Sequence, residues 1–176
     1  MLRWLVKKWV NRNVEKLLWL ASQRHPDFVI GDDYLARWWL VKNTQDRDTR
    51  APMNLQPSTV ASRWRNTYLH CVNRSDDDRA LHDHPWINIS IILRGQYREV
   101  YADRAVIRKP GDIVFRWGST AHRLEVVEGP VWSLFFTGPK YREWGFRCHN
   151  GWKHWKEFTL YNETGDSTRV GRGCGE

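Results

Sequence analysis

Three histidines in the middle of the chain have the residue type and spacing of a metal site. His82 and His84 are separated by a single residue, so both side chains point to the same face of an extended strand. His122 comes later, after a predicted strand and a short turn. A barrel often holds an ion with two imidazoles from one strand and one from another, because the scaffold fixes the ligands before the ion arrives. We therefore predict that His82, His84 and His122 bind one divalent metal ion.

The residues around these histidines resemble the two motifs of the cupin superfamily. In the first motif a His-x-His pair is followed by Glu and then Gly, and the corresponding residues here are His82, His84, Asn88 and Gly95. In the second motif Gly, Pro, Gly and His follow one another, and the corresponding residues are Gly111, Trp117, Ser119 and His122. Segments 81–86 (LHDHPW) and 138–146 (GPKYREWGF) are similar to those of uncharacterised bacterial and phage cupins. The resemblance covers roughly residues 64–137 and implies a mainly β fold, a double-stranded β-helix or jelly-roll barrel.

Three positions depart from the family pattern. The Glu of the first motif is Asn88, the Gly that precedes that motif is Asp76, and the Pro of the second motif is Trp117. Without the Glu, the site becomes a three-histidine site in which Asn88 is at most a weak neutral oxygen ligand. Imidazole suits Fe, Ni, Cu and Zn. Three neutral ligands also leave the charge of the ion uncompensated, which favours an anionic substrate.

The resemblance also implies an activity, because the family contains three-histidine Fe(II) thiol dioxygenases such as cysteine dioxygenase. We therefore expect an Fe(II)-dependent oxygenase of a small anionic substrate, with Zn or Ni as the alternative metals. Two other functions stay open. One is an isomerase or epimerase of a sugar or nucleotide, either metal-independent or dependent on Zn or Ni. The other is a basic binding module without catalysis.

Charged and phenolic residues near the motifs are candidates for binding the substrate or supporting the histidines. The arginines that could grip an anion are Arg37, Arg94, Arg98, Arg116 and Arg123. Arg116 shares strand parity with His122 if the strand runs unbroken, and we predict catalytic roles for Arg116 and Tyr97. The carboxylates that could orient a ligand are Asp83, Glu99, Asp112 and Glu125. Strand alternation turns Asp83 and Glu125 away from the histidines next to them, towards solvent or an arginine.

The predicted elements place these residues in one barrel. Apolar residues recur every three or four positions over about residues 2–23 and predict an amphipathic helix, so residues 1–24 form an N-terminal helical unit. Short apolar runs separated by turn signals predict antiparallel strands. We assign residues 25–161 to the barrel, with a lid at about 138–161, and residues 162–176 to a flexible tail. A polar loop is predicted over 43–62.

Composition bounds the remaining possibilities. The net charge of +8 favours an acidic partner, and the expected partner is a small anionic substrate. A homodimer, a nucleic acid or a membrane surface stays open as a further partner. The N-terminal helix either packs on the barrel, lies on a membrane surface or contacts a second copy.

Three cysteines without paired spacing indicate free thiols, with Cys174 exposed. The N-terminus is too interrupted by charge for a signal peptide or membrane span, which favours a cytoplasmic location.

Overall fold

A computed structural model describes residues 1–42, 66–76 and 80–175, so the loop predicted over 43–62 lies outside the described residues. One large sheet and one small sheet, both antiparallel, follow a long N-terminal helix. The helices are α1 (Leu2–Ser22), α2 (Trp155–Phe158) and α3 (Tyr161–Thr164). The strands are β1 (Phe28–Ile30), β2 (Leu35–Lys42), β3 (Asn66–Val72), β4 (Leu81–His82), β5 (Asn88–Val100), β6 (Ala105–Arg108), β7 (Ile113–Arg116), β8 (Arg123–Thr137), β9 (Gly145–Cys148) and β10 (Gly151–His154).

The strand order brings distant parts of the chain side by side. In the large sheet the order is β1-β2-β3-β8-β5-β6, and β7 pairs with the first half of β5. In the small sheet the order is β10-β9-β4. A backbone bridge between His82 and His122 joins the small sheet to the start of β8. The predicted mainly β, jelly-roll architecture is confirmed by this arrangement.

Strand alternation sorts side chains onto an inner and an outer face of the large sheet. Arg37, His70 and Ser133 are register neighbours on β2, β3 and β8 and share the inner face. Trp38 and Leu69 lie on the outer face, in a core cluster that also contains Val10 and Ala21 of α1. The predicted helix is therefore α1, and one of its sides packs on the outside of the barrel.

Strand β5 carries an irregularity that reverses its faces. Asn88, Ser90 and Ile92 are buried before it, whereas Tyr97 and Glu99 are buried after it, so the buried positions change from even to odd numbers. The pairing with β8 shifts register between Ile92 and Tyr97. Gly95 lies there at φ +75°, and a Cβ would stand only 2.6 Å from the Glu128 carbonyl oxygen, which explains the need for Gly. β5 and β8 each run through as one long strand, although Arg94-Gly95 and Glu128-Gly129-Pro130 are turn-type sequences.

The C-terminal segment, residues 138–175, packs across one end of the barrel. Phe158 is fully buried and stacks on Phe146 at a centroid distance of 3.6 Å. The backbone N–H groups of Gly171 and Gly173 both donate to the Phe158 carbonyl oxygen, at 3.0 and 3.1 Å. A disulfide joins Cys148 to Cys174. The expectation of free thiols is therefore wrong for these two residues, and Cys71 is the free, buried cysteine.

Among the described helices, none combines the length and the apolar composition that a bilayer-spanning helix requires.

Candidate metal centre

The three predicted ligands come from two backbone segments that pair directly. His82, at the end of β4, and His122, next to the start of β8, exchange two backbone N–H···O=C bonds of 2.9 Å each. The backbone N–H of His84 donates to the Gly118 carbonyl oxygen, also at 2.9 Å. The pairing fixes the positions of all three imidazoles, which point into one cavity. The fold thus brings together the residues that the spacing predicts.

The ring nitrogens are close enough to share one ion. One ligand nitrogen from each histidine lies within 4.8 Å of the others, and Nε2 of His84 is 2.9 Å from Nε2 of His122. Two nitrogens bound to one ion at about 2.0–2.1 Å stand roughly 2.9–3.4 Å apart for right-angled to tetrahedral geometry. The His84–His122 separation is at the right-angled end of this range. His84 and His122 therefore have the spacing of two ligands of one ion, and a ring nitrogen of His82 lies within 4.8 Å of both.

His122 is held by a buried carboxylate that sequence analysis could only name among four. Its Nδ1 lies 2.8 Å from Oε1 of Glu99, which has no exposed surface. A carboxylate at Nδ1 favours the tautomer with the proton on that nitrogen, leaving the Nε2 lone pair for a metal. Burial, followed by the positive charge of Arg116, lowers the pKa of His122 to about 3. His122 is thus kept neutral, as a metal ligand must be.

His82 has a carboxylate partner of its own, Asp76. Nδ1 of His82 lies 3.4 Å from Oδ2 of Asp76. The same carboxylate accepts hydrogen bonds from the Tyr34 hydroxyl and, at 2.8 Å, from the Leu124 backbone N–H. Burial opposes ionisation of Asp76, but His82 and these donors together lower its pKa. Asp76 stands where the family motif has Gly, and this departure was the signal that could have identified it.

Glu99 is also the anion of a buried network around Arg116. Arg116 donates from Nε to Glu99 at 2.5 Å and from Nη2 to the Tyr97 hydroxyl at 3.1 Å. Its Nη1 donates to Asn88 Oδ1 at 3.2 Å and to Ser90 Oγ at 2.9 Å. Although burial opposes ionisation of Glu99, its close contact with His122 and its ion pair with Arg116 hold its pKa well below the usual range. The ligand set thus has no carboxylate of its own, but the carboxylate of Glu99 contacts one of the ligands, His122.

The predicted catalytic residues, Arg116 and Tyr97, and the predicted ligand Asn88 all belong to this network. Arg116 and Tyr97 line the cavity, and burial raises the pKa of the Tyr97 phenol. Asn88 is completely buried, with its side-chain oxygen directed at Arg116. Their roles in catalysis and ligation stay predictions, but all three nitrogens of the Arg116 guanidinium already donate within this network.

A cavity of about 810 Å³ opens from the histidines towards the C-terminal segment. Its wall is rich in aromatic rings, namely Phe28, Tyr34, Trp86, Phe135, Trp144, Phe146, Trp155 and Tyr161. Arg37 also lines it, with its guanidinium 4.5 Å from the Tyr68 ring centroid and its Nε donating to His70 Nε2 at 2.9 Å. The cavity is large enough for a small organic ligand and for ordered water.

The five arginines predicted to bind an anion differ in whether a carboxylate of the protein already pairs with them. Arg116 pairs with Glu99, and Arg94 pairs with Glu15. Arg98 and Arg123 both pair with Glu125 outside the cavity. Among the described residues Arg37 has no carboxylate within ion-pair distance. Arg37 is therefore the predicted arginine that combines a place in the cavity wall with an unbalanced charge.

Asp83 fastens the histidine pair to the C-terminal segment instead of touching the site. Its buried carboxylate accepts from the Gly145 backbone N–H at 2.8 Å and from Trp152 Nε1 at 3.0 Å, and it pairs with Arg142 at 2.9 Å. Arg142 also donates to the carbonyl oxygens of His84 and Gly118, at 3.2 and 3.1 Å. Asp83 therefore points away from the cavity. Its contacts with the C-terminal segment hold the backbone of His82 and His84 in place.

Comparison with known proteins gives a resemblance of fold. No family model and no curated protein sequence matches the chain. The solved structures similar to it include the DMSP lyase DddQ from Ruegeria pomeroyi, which is 19% identical over 61% of this chain and 48% of that one, with a TM-score of 0.44. KdgF from Halomonas sp. is 11% identical over 68% and 91%, with a TM-score of 0.47. A cupin superfamily protein from Desulfitobacterium hafniense is 15% identical over 45% and 71%, with a TM-score of 0.38.

These neighbours are distant in both sequence and structure. The chain spans about half the length of the DMSP lyase that it matches. Identities and TM-scores this low carry no information about activity, so the function has to be argued from the site itself.

Proposed function

We propose that this cupin-fold protein is a metal-dependent enzyme that acts on a small anionic substrate, with Fe(II) as the metal and dioxygen as co-substrate. The observation that carries the proposal is one cavity containing three converging histidines together with Arg37, a cation without a carboxylate partner among the described residues. A neutral ligand set and an unbalanced cation both favour an anion in the space between them.

The charge of the surrounding residues supports an anionic substrate. Glu99 faces Arg116, Arg108 and His122, so its negative charge is shared among groups inside the wall. Asp76 is engaged by His82 and Tyr34. A divalent ion on three imidazoles adds positive charge that these carboxylates only partly offset. The cavity as a whole therefore attracts a carboxylate or a similar anion.

The protein's own residues would divide the work as follows. His82, His84 and His122 would hold the ion, with Asp76 and Glu99 fixing the protons on two of the rings. Arg37 would bind the anionic group of the substrate, and the aromatic wall would exclude water around it. Bound Fe(II) supplies the binding and activation of dioxygen. Neutral imidazoles also suit Zn and Ni, so the identity of the metal decides between an oxygenase and a Lewis-acid enzyme.

The first experiment is elemental analysis of protein purified without chelator or histidine tag. The test variant is His82→Ala/His84→Ala, and the matched control is His25→Ala/His149→Ala, which removes two exposed histidines. We expect close to one equivalent of Fe in the wild type and the control, and none in the test variant. One equivalent of Zn or Ni would instead indicate an isomerase or a hydrolytic enzyme, and the oxygenase proposal would be dropped. Equal metal contents in all three proteins would refute the site.

The second experiment measures oxygen consumption by the iron-loaded protein with a panel of small carboxylates and thiols. For a substrate found in this way, Arg37→Gln should raise KM at least tenfold, because a charge-assisted contact is lost. The matched control is Arg98→Gln, whose ion pair with Glu125 is on the surface. An unchanged KM in the Arg37 variant would contradict the assigned role, and no turnover with any anion would contradict the proposed activity.

A further inference from the structure

The side of α1 that points away from the barrel exposes large apolar residues. Val10 and Ala21 bury themselves on the opposite side, in the core cluster shared with the sheet. The exposed apolar residues are Trp4 (63% exposed), Leu5, Trp9, Trp19 (60% exposed) and Leu20. A single exposed Leu or Trp needs no explanation, but soluble monomers rarely expose a larger apolar patch that has no binding partner.

A row of cations runs through the same side of the helix. Lys8, Arg12 and Lys16 are four residues apart and exposed, so they follow one another along the helix surface. None of the three forms an ion pair with a carboxylate among the described residues. The ion pairs of α1 are Arg3–Asp112 and Glu15–Arg94, and both attach the helix to the barrel. We call the five exposed apolar residues and these three cations the outer face of α1.

The two sets of side chains interleave around the helix. At about 100° per residue, Trp4 and Trp19 lie roughly 60° apart around the axis, and Lys8 falls between them. The ammonium group of Lys8 stands 5.2 Å from the Trp4 ring centroid. Val10 and Ala21 hold the helix on the sheet, and the exposed apolar residues of the opposite side extend from Trp4 to Leu20, about 24 Å along the axis.

We propose that the outer face of α1 binds the surface of an anionic lipid bilayer. Trp is enriched where headgroups meet acyl chains, because its ring is amphipathic. Lys and Arg are attracted to the negative surface potential of anionic leaflets. A helix lying between barrel and bilayer could insert its Trp and Leu side chains at headgroup depth and place its cations against the phosphates.

The charge of the outer face favours a bilayer over two other possible binding partners, a second copy of the chain and a nucleic acid. A symmetric contact with a second copy would set Lys8, Arg12 and Lys16 against the same residues of the partner, since two-fold interfaces use one patch twice. Glu15 is the acidic residue of α1, and it is engaged by Arg94, so the helix itself offers no unpaired carboxylate that would relieve this repulsion. A nucleic acid would satisfy the cations but would leave Leu5 and Leu20 exposed. An anionic bilayer satisfies both sets.

The experiment is flotation of the full chain with two kinds of vesicle. One is phosphatidylcholine alone, and the other contains about one third phosphatidylglycerol. The test variants are Lys8→Gln/Arg12→Gln/Lys16→Gln, which removes charge, and Trp4→Ser/Trp19→Ser, which removes apolar area. The matched control is Arg104→Gln/Arg147→Gln/Arg172→Gln, which removes three exposed cations elsewhere. Circular dichroism and thermal unfolding establish that each variant is folded.

We expect binding to the anionic vesicles only, weakening as salt rises above about 0.1 M. Loss of the three helix cations should weaken binding on the order of a hundredfold, and loss of the two tryptophans at least tenfold, with the control within twofold. The proposal is overturned by no binding to anionic vesicles, or by equal effects of the helix and control variants. It is also overturned if the helix variant instead alters the molar mass of the protein or its binding to DNA.

Discussion

Oε1 of Glu99 lies 2.8 Å from Nδ1 of His122, and it also accepts a 2.5 Å hydrogen bond from Nε of Arg116. One buried carboxylate therefore does two things. It sets the tautomer of a predicted metal ligand, and it neutralises a buried guanidinium. In the family motif the carboxylate belongs to the ligand set, where this chain has Asn88. Here the negative charge acts on the centre through an imidazole ring.

Glu99→Gln should weaken metal binding and destabilise the fold. The amide can no longer hold the Nδ1 proton of His122 as an anion, so the metal dissociation constant should rise by about 10- to 100-fold. Arg116 would also remain as a buried charge without a counterion, at a cost of about 3–5 kcal/mol in the free energy of unfolding. Chelator competition measures the first effect, and denaturant unfolding measures the second.

Two variants make this result specific. Glu125→Gln removes a carboxylate that pairs with Arg98 and Arg123 outside the cavity, and it should cost no more than about 1 kcal/mol. Glu99→Asp keeps the charge near Arg116 but withdraws it from His122. It should retain more stability than Glu99→Gln and still lose metal affinity. Wild-type metal affinity in both Glu99 variants would contradict the role assigned to this carboxylate.

Asn88→Ala tests whether the amide is a metal ligand. Because Oδ1 of Asn88 accepts from Arg116 Nη1, we expect the metal dissociation constant to change by less than about threefold. The unfolding free energy should fall by about 1–3 kcal/mol, since a buried donor loses an acceptor. Both are measured by the methods used for Glu99. A tenfold or larger loss of metal affinity would instead make Asn88 a ligand.

The ligand histidines were predictable because their geometry is local. His82 and His84 are two residues apart and both line the cavity, although β4 ends at His82, and His122 follows from the motif spacing. The supporting carboxylates depend on long-range register. Glu99 has the opposite parity to Asn88, so simple alternation puts it on the wrong face, and only the irregularity around Gly95 turns it inward.

Arg37 and Cys148 show the same limit. Five arginines could be named from the sequence, but which of them lacks a carboxylate depends on pairs such as Arg94–Glu15, formed between distant segments. Likewise the odd number of cysteines gave no indication of a pair. Cys148 meets Cys174 because the chain returns past the Phe158 carbonyl oxygen. No local pattern encodes either contact.

His70→Gln should make the fold less sensitive to acid. Burial, followed by the charge of Arg37, lowers the pKa of His70 well below 6.5 in the folded state. Below about pH 6.5 the unfolded chain therefore binds a proton that the folded chain does not, and stability is lost as the pH falls. This single group contributes up to about 1.4 kcal/mol per pH unit. Gln keeps an acceptor for Arg37 and removes the titration.

The measurement is the free energy of unfolding between about pH 7 and pH 5, for wild type, His70→Gln and His25→Gln at identical metal loading. His25 is the matched control because it is an exposed histidine. We expect a shallower slope for His70→Gln than for the other two proteins. Three parallel curves would mean that the neutral state of His70 contributes nothing to the acid sensitivity.

Reduction of the Cys148–Cys174 disulfide should loosen the C-terminal wall of the cavity. The two cysteines are 26 residues apart in sequence, and closing a loop of this length corresponds to a stabilisation of about 3.5 kcal/mol. Thr168, Arg169 and Val170 lie inside that loop and line the cavity. A reductant, or Cys148→Ser/Cys174→Ser, should therefore lower the melting temperature, expose residues 159–175 to protease and speed removal of the metal by chelator.

The matched control is Cys71→Ser, which leaves the disulfide intact and should respond to reductant as the wild type does. Denatured, unreduced wild type should contain one titratable thiol and the reduced protein three, and three thiols before reduction would contradict the pairing.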